Sequence, residues 1–194
     1  MTQRSRSTEY KEDKKEVTKA EHRLKDGRWI TLRKASIDDA ETIVDAINQV
    51  AAEEDCLLWD KTVYNVEFER NHITRSNRTE NTLILVAQID GQFVGASELK
   101  IGEFRKNKHT AELGIILLKE FRRLGAGSSL IEEMLKWAIE KGIEKVCLSV
   151  FSTNIDAIAL YEKSGFKVEA VKKKQIKIDR DYVDEILMAK FLKE

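Results

Sequence analysis

Residues 121–142 read FRRLGAGSSLIEEMLKWAIEKG, and their spacing suggests chemistry. Two arginines come first, then two glycines one residue apart, then Leu130, Ile131, Met134, Trp137 and Ala138 at helical intervals. The first turn of a helix has unpaired N–H groups and carries about half a positive charge. Glycines without side chains let an anion come close to those groups. An R-x-x-G-x-G turn between a strand and a helix therefore makes a seat for a pyrophosphate, with arginine bonds from its rim. The seat comprises Arg122, Arg123, Leu124, Gly125, Ala126, Gly127 and Ser128, with the Ser129 hydroxyl beside it. A P-loop fits less well, because no lysine follows Gly127. A dinucleotide fingerprint needs a third glycine where this chain has Leu130, and it should open a parallel βαβ series. The plainer alternative is a tight strand-to-helix turn with no ligand.

The surrounding pattern shows what positions this turn. Residues 29–35 alternate as a short strand, and Ser36 suits the N-cap of a helix that places Ile37, Ala40, Ile43, Val44 and Ile47 on one face. Residues 56–78 read as a loop followed by a helix over about 66–74. The period then changes to two. Residues 82–90 and 92–103 form strands joined by the hairpin turn Asp90-Gly91, and residues 109–119 form a third strand. The helix after the glycines ends at Gly142. A buried strand (145–151), a short helix (154–165) and an antiparallel pair turning at Asp179-Arg180-Asp181 complete the chain. This order predicts an α/β fold, a mixed and mostly antiparallel central sheet flanked by helices.

Two ordered segments, ELGIILLKEFRRLGAGSSLIEEML (112–135) and NIDAIALYEKSGF (154–166), resemble the motifs of the GNAT superfamily of N-acetyltransferases. The first is similar to its acetyl-CoA motif, R/Q-x-x-G-x-G/A after a strand. The second is similar to its N-x-x-A-x-x-L-Y-x-x-x-G-F motif. YVDEILMAKFL (182–192) also looks like the last strand of members that acetylate small amines and proteins. The resemblance implies acetyl transfer from acetyl-CoA to a primary amine, by direct attack in a ternary complex. It implies that residues 122–128 bind the pyrophosphate. Ile115, Ile116 and Leu117 would pair with the pantetheine arm where their strand splays from the next. A backbone N–H near Ile116 or Leu117 would polarise the thioester carbonyl. Asn154 matches an asparagine that bonds the pantetheine amide, and it equally suits a helix N-cap. Tyr161 matches a general acid near the cofactor sulfur, and it also fits a buried helix face. A thiol has a pKa of about 8.5, whereas only about one lysine-like amine in a thousand is neutral at pH 7. Deprotonating the amine is thus the larger task. Glu112 is the first candidate base and Glu98 the second; each also reads as a strand carboxylate in a surface ion pair. A catalytically silent CoA-binding module on the same fold is the rival reading, and a nucleotide-binding protein with a GxG turn is a third.

Composition bounds these readings. A chain of 194 residues suggests one domain, with residues 1–27 a charged, mobile or loosely helical extension and residues 28–194 the acetyltransferase domain. Lys plus Arg equals Asp plus Glu at 34 each, so no global basic field recruits nucleic acid. The basic runs at 104–109 and 172–177 read as solvated faces, with an acidic partner as the alternative. No apolar run nears the roughly 20 residues that cross a bilayer, and the first ten residues lack the apolar centre of a signal peptide. Two cysteines, Cys56 and Cys147, make no disulfide framework, and His22, His72 and His109 show no ligand spacing. The expectation is a cytoplasmic enzyme with no metal site and no membrane or nucleic-acid partner. Its acceptor is a small-molecule or protein amine gripped by residues 55–78 and late loops. Relatives of this kind commonly form homodimers.

Overall fold

The structure, a computed structural model, describes residues 19–53 and 65–193. Eight strands form one sheet in the order β1-β2-β3-β4-β5-β6-β8-β7. They are β1 (Ala20–Arg23), β2 (Trp29–Lys34), β3 (Thr82–Ile89), β4 (Gln92–Ile101), β5 (Thr110–Leu117), β6 (Lys145–Phe151), β7 (Lys167–Ile178) and β8 (Asp181–Phe191). Every neighbouring pair is antiparallel except β5–β6. Helices α1 (Ala40–Ala51) and α2 (Val66–Arg78) pack on one face through Ala40, Ile43 and Ile73. Helices α3 (Ala126–Glu140) and α4 (Ile155–Lys163) cover the other. The five residues of the predicted α3 stripe are all buried in that second core. The expected α/β sandwich is the observed fold.

Strand alternation decides what each face receives. In β3, Leu83, Leu85 and Ala87 enter the α3 core, whereas Ile84 and Val86 enter the α1–α2 core. In β5, Ala111 and Leu113 enter the α3 core, and Ile116 packs on the α1–α2 side. Glu112 and Gly114 therefore share the face of Ile116.

Two expectations need correction. The segment up to Gly27 is not wholly an extension, because β1 pairs with β2 from Ala20↔Leu32 to Arg23↔Trp29. His22 Nε2 lies 3.0 Å from a Glu133 carboxylate oxygen on α3, and the Lys25 N–H donates to the Leu124 carbonyl at 3.0 Å. The sparse apolar content of this segment hid it, since an edge strand needs few buried side chains. Only Leu24 among residues 19–27 is buried. Ile37 is the second correction: it is 47% exposed, because residues 37–39 form a 3₁₀ turn before α1 rather than its first turn. That turn is fixed by Asp39, whose carboxylate accepts from the Ser36 N–H at 2.7 Å and from both Arg33 guanidinium ends.

Among the described residues, no helix is long and apolar enough to cross a membrane. Cys56 lies outside them. His22, Glu132 and Glu133 bring ligand-type atoms within 4.8 Å of one another. Lys136 Nζ stands 2.8 Å from a carboxylate oxygen of both glutamates, so a cation already occupies this position.

Candidate active site

The two glycines of the turn answer to different constraints. Gly125 has φ +107° and is the N-cap of α3, a conformation that side chains strain against. An added Cβ there would meet nothing closer than Leu24 Cδ2 at 3.8 Å. Gly127 is needed for packing, since its Cβ would sit 2.7 Å from Leu160 Cδ2 and 3.3 Å from Leu117 Cδ1. The first turn of α3 contains no acidic side chain, so its free N–H groups and positive dipole end are uncontested.

The arginines are used unequally. Arg122 is drawn inward: its guanidinium donates to both Glu53 carboxylate oxygens at 2.6 and 2.8 Å and to the Leu117 carbonyl at 2.9 and 3.0 Å. It braces the end of β5 against the residues after α1. Arg123, with φ +64°, pairs with Asp156 at 2.7 Å on the surface. Exposed pairs of this kind exchange partners at little cost. Lys25 Nζ donates to the Arg123 carbonyl at 3.2 Å and joins the wall of the same cavity. Sequence reasoning missed Lys25 because it sits in the segment read as an extension.

That cavity has a volume of about 660 Å³. It runs from the α3 N-terminus down the gap between β5 and β6. Parallel pairing covers only Thr110↔Lys145, Ala111↔Val146 and Glu112↔Cys147. Beyond Glu112, β6 pairs only with β8, which leaves residues 113–117 without β6 partners. The expected splay is therefore present. Ile115, Ile116, Leu117, Arg122, Arg123, Gly125, Gly127, Ser128, Asn154, Glu112 and Tyr161 all line this one cavity. Leu124 and Ala126 do not: Ala126 is buried in the α3 core and Leu124 packs against it. Asn154 caps α4, its Oδ1 accepting from the Ala157 N–H at 3.2 Å. Tyr161 is held in the core with its ring edge-on to Phe166, centroids 5.9 Å apart.

Both candidate carboxylates lie on the α1–α2 face of the sheet. Glu112 is exposed and opposite Lys100, and Glu98 is opposite Gly114. Glu98 is 2.9 Å from His72 Nε2 on α2. The hydrogen bond to Glu98 raises the His72 pKa, against the opposing effect of burial. One helical turn before His72 lies Glu69, 3% exposed, whose carboxyl is pushed up by burial. These two α2 residues also escaped the sequence reading. Only their i, i+3 spacing hinted at a shared face, and nothing local tied that face to a strand 26 residues away.

Together these features define a class: a mixed-sheet protein whose splayed strands and helix N-terminus line one continuous cavity. The model of the Acetyltransferase (GNAT) family matches residues 44–166. The chain belongs to this family. It is 33% identical over 107 residues to the L-amino acid N-acetyltransferase AaaT of Escherichia coli, covering 55% of this chain and 66% of that one. It is 34% identical over 149 residues to the spermidine N(1)-acetyltransferase of Thermoplasma acidophilum, covering 72% and 89%. A Sulfurisphaera tokodaii N-alpha-acetyltransferase is 29% identical over 169 residues, with 81% and 88% covered. Among solved structures, a GNAT-family acetyltransferase from Streptococcus pneumoniae superposes with a TM-score of 0.79 at 27% identity, covering 84% of this chain and 99% of that one. The fold of yncA from Salmonella typhimurium, solved with its cofactor acetyl-CoA, matches with a TM-score of 0.77 at 19% identity, covering 85% and 95%.

Proposed function

We propose that this protein transfers the acetyl group of acetyl-CoA directly to a primary amine within a ternary complex. The observation that carries this reading is the single cavity that joins the α3 N-terminus, the unpaired edge of β5, Tyr161 and two carboxylates. The α3 N–H groups hold the pyrophosphate, helped by Arg123 and Lys25. Residues 113–117 pair with the pantetheine arm, and an N–H near Ile116 faces the carbonyl oxygen as negative charge develops there. Asn154 keeps its cap bond through Oδ1 and presents its amide to the arm.

Glu98 or Glu112 takes the proton that makes the amine nucleophilic. The nitrogen attacks the carbonyl carbon, the C–S bond breaks, and the Tyr161 hydroxyl gives its proton to the departing sulfur. Of the two carboxylates, Glu98 has the closer support, because His72 Nε2 stands 2.9 Å from it and fixes its aim. The relatives' names span amino acids, a polyamine and protein N-termini, so a primary amine is the acceptor common to all three.

The test pairs calorimetric titration of acetyl-CoA with mass-spectrometric detection of acetylated amines. Expected are tight acetyl-CoA binding, transfer to a primary amine, and a Tyr161→Phe variant whose kcat drops while acetyl-CoA affinity holds. Binding without transfer to any amine would favour the silent CoA-binding module. Equal losses of kcat and affinity in Tyr161→Phe would remove the acid role.

A further inference from the structure

A second, smaller cavity of about 180 Å³ opens between α1, α2 and the β4–β5 strands. It shares Glu98, Gly114, Ile115 and Ile116 with the large cavity, so the two meet on the β5 segment assigned to the thioester. Gly114 makes the junction open: a Cβ placed there would find nothing within 4 Å. The outer wall is aliphatic, formed by Ile43, Ile47, Ile84 and Ala96, and the charged lining is Glu69 and Glu98. Among the described residues, no lysine or arginine lines this cavity. The cations close to it are already engaged. His72 is held by Glu98 at 2.9 Å, and Lys100 is held by Glu103 at 2.9 Å.

We propose that Glu69 and Glu98 make this the acceptor pocket for primary amines that carry a short aliphatic group and no neighbouring carboxylate. This rests on the acetyl-transfer reading given above. The volume lies below the roughly 300–1,000 Å³ of pockets that enclose whole drug-sized ligands, so it takes one aliphatic group and the amine beside it. An ammonium placed at Glu98 is attracted by both carboxylates. A free amino acid with its amine at Glu98 must bring its own carboxylate within a few ångströms of the same two groups. Glu69 is buried and makes no side-chain hydrogen bond among the described residues. An ammonium beside it stabilises its ionised form, whereas a carboxylate there drives it to take up a proton. The shared chemistry, an aliphatic amine free of an adjacent acid, occurs both in simple alkyl amines and at polypeptide N-termini.

The experiment measures kcat/KM of the full chain with acetyl-CoA for leucine, 3-methylbutylamine (leucine without its carboxylate) and a peptide beginning with leucine. The alkyl amine is at least as basic as leucine, so amine ionisation gives it no advantage. Expected is a preference of at least about tenfold for 3-methylbutylamine over leucine, from like-charge repulsion at contact distance. Whichever of 3-methylbutylamine and the peptide is faster identifies the source of the amine. Glu69→Gln keeps the shape and should narrow the preference severalfold by raising the leucine value. Leucine used as well as 3-methylbutylamine by the wild type would overturn the proposal. So would a preference unmoved by Glu69→Gln. Failure of the transfer reading shows separately, as no CoA release with any amine. Calorimetry of the two amines on the CoA complex then decides, and equal affinity for leucine overturns the pocket.

Discussion

Replacing Gly125 by alanine separates the role of the turn from that of the cavity. Its φ of +107° costs an L-residue about 1–2 kcal/mol. Sterics add nothing, because the nearest atoms to the new Cβ are at 3.8 and 4.0 Å. At this chain length each kcal/mol lowers Tm by about 2–4 °C, so the expected fall is about 2–8 °C. The variant relieves strain by rotating the turn, which swings the first N–H groups of α3 away from their aim. Losing one charge-assisted bond is worth roughly 1.5–3 kcal/mol, so acetyl-CoA affinity should weaken about 10- to 100-fold. Gly91→Ala is the matched control. Its φ is +79°, its Cβ would meet nothing within 4 Å, and it sits in the β3–β4 hairpin turn away from both cavities. Both variants should lose similar stability in thermal melts, and only Gly125→Ala should lose affinity in calorimetric titration. Equal acetyl-CoA affinity in the two variants would refute the proposed pyrophosphate seat.

Arg122→Gln should cost about 1–3 kcal/mol of unfolding free energy in urea, because Glu53 and the Leu117 carbonyl lose their largely buried partner. Arg122→Lys should rescue less than half of that loss, since a point charge cannot replace the two-pronged contact; full rescue would argue that charge alone matters. The pH dependence of stability should carry the mark of His72 and Glu69, whose folded pKa values are both raised. The His72 contribution is fully present below about pH 6.5 and is lost as pH rises through its elevated folded value. Glu69 acts with the same sign, most stabilising when protonated below about pH 4.3 and progressively less so as it ionises. Urea midpoints of His72→Gln should therefore fall less steeply than wild type above neutrality, and an unchanged slope would contradict the pair with Glu98.

Much of the site was legible locally. Period two gave β3, β4 and β5, and period 3.6 gave α3 and its stripe, because side-chain direction is set by the backbone of each element alone. The glycine spacing located the turn, and the Asn154 and Tyr161 motif placed α4 against the same cavity. What the sequence left open depends on contacts between distant residues. Arg122 read as a phosphate ligand until Glu53, 69 positions earlier, was found to claim it. Gly127 read as an approach path for phosphate, but it is held small by Leu160 on another helix.

The spacing of Arg122 to Ser128, with the later Asn154 and Tyr161, thus carried the family resemblance. Register and packing settled the rest. Residues 19–27 contain one buried side chain, so only pairing with β2 shows that β1 belongs to the sheet and that Lys25 walls the cavity. The opening between β5 and β6 exists because pairing stops at Glu112↔Cys147, a register that no local pattern encodes. Glu69, His72 and Glu98 meet only when α2 lies across β4. Tertiary structure therefore decided the second cavity: opposing charges and a shared pocket arise from which faces meet, whereas helix and strand periods arise within each element.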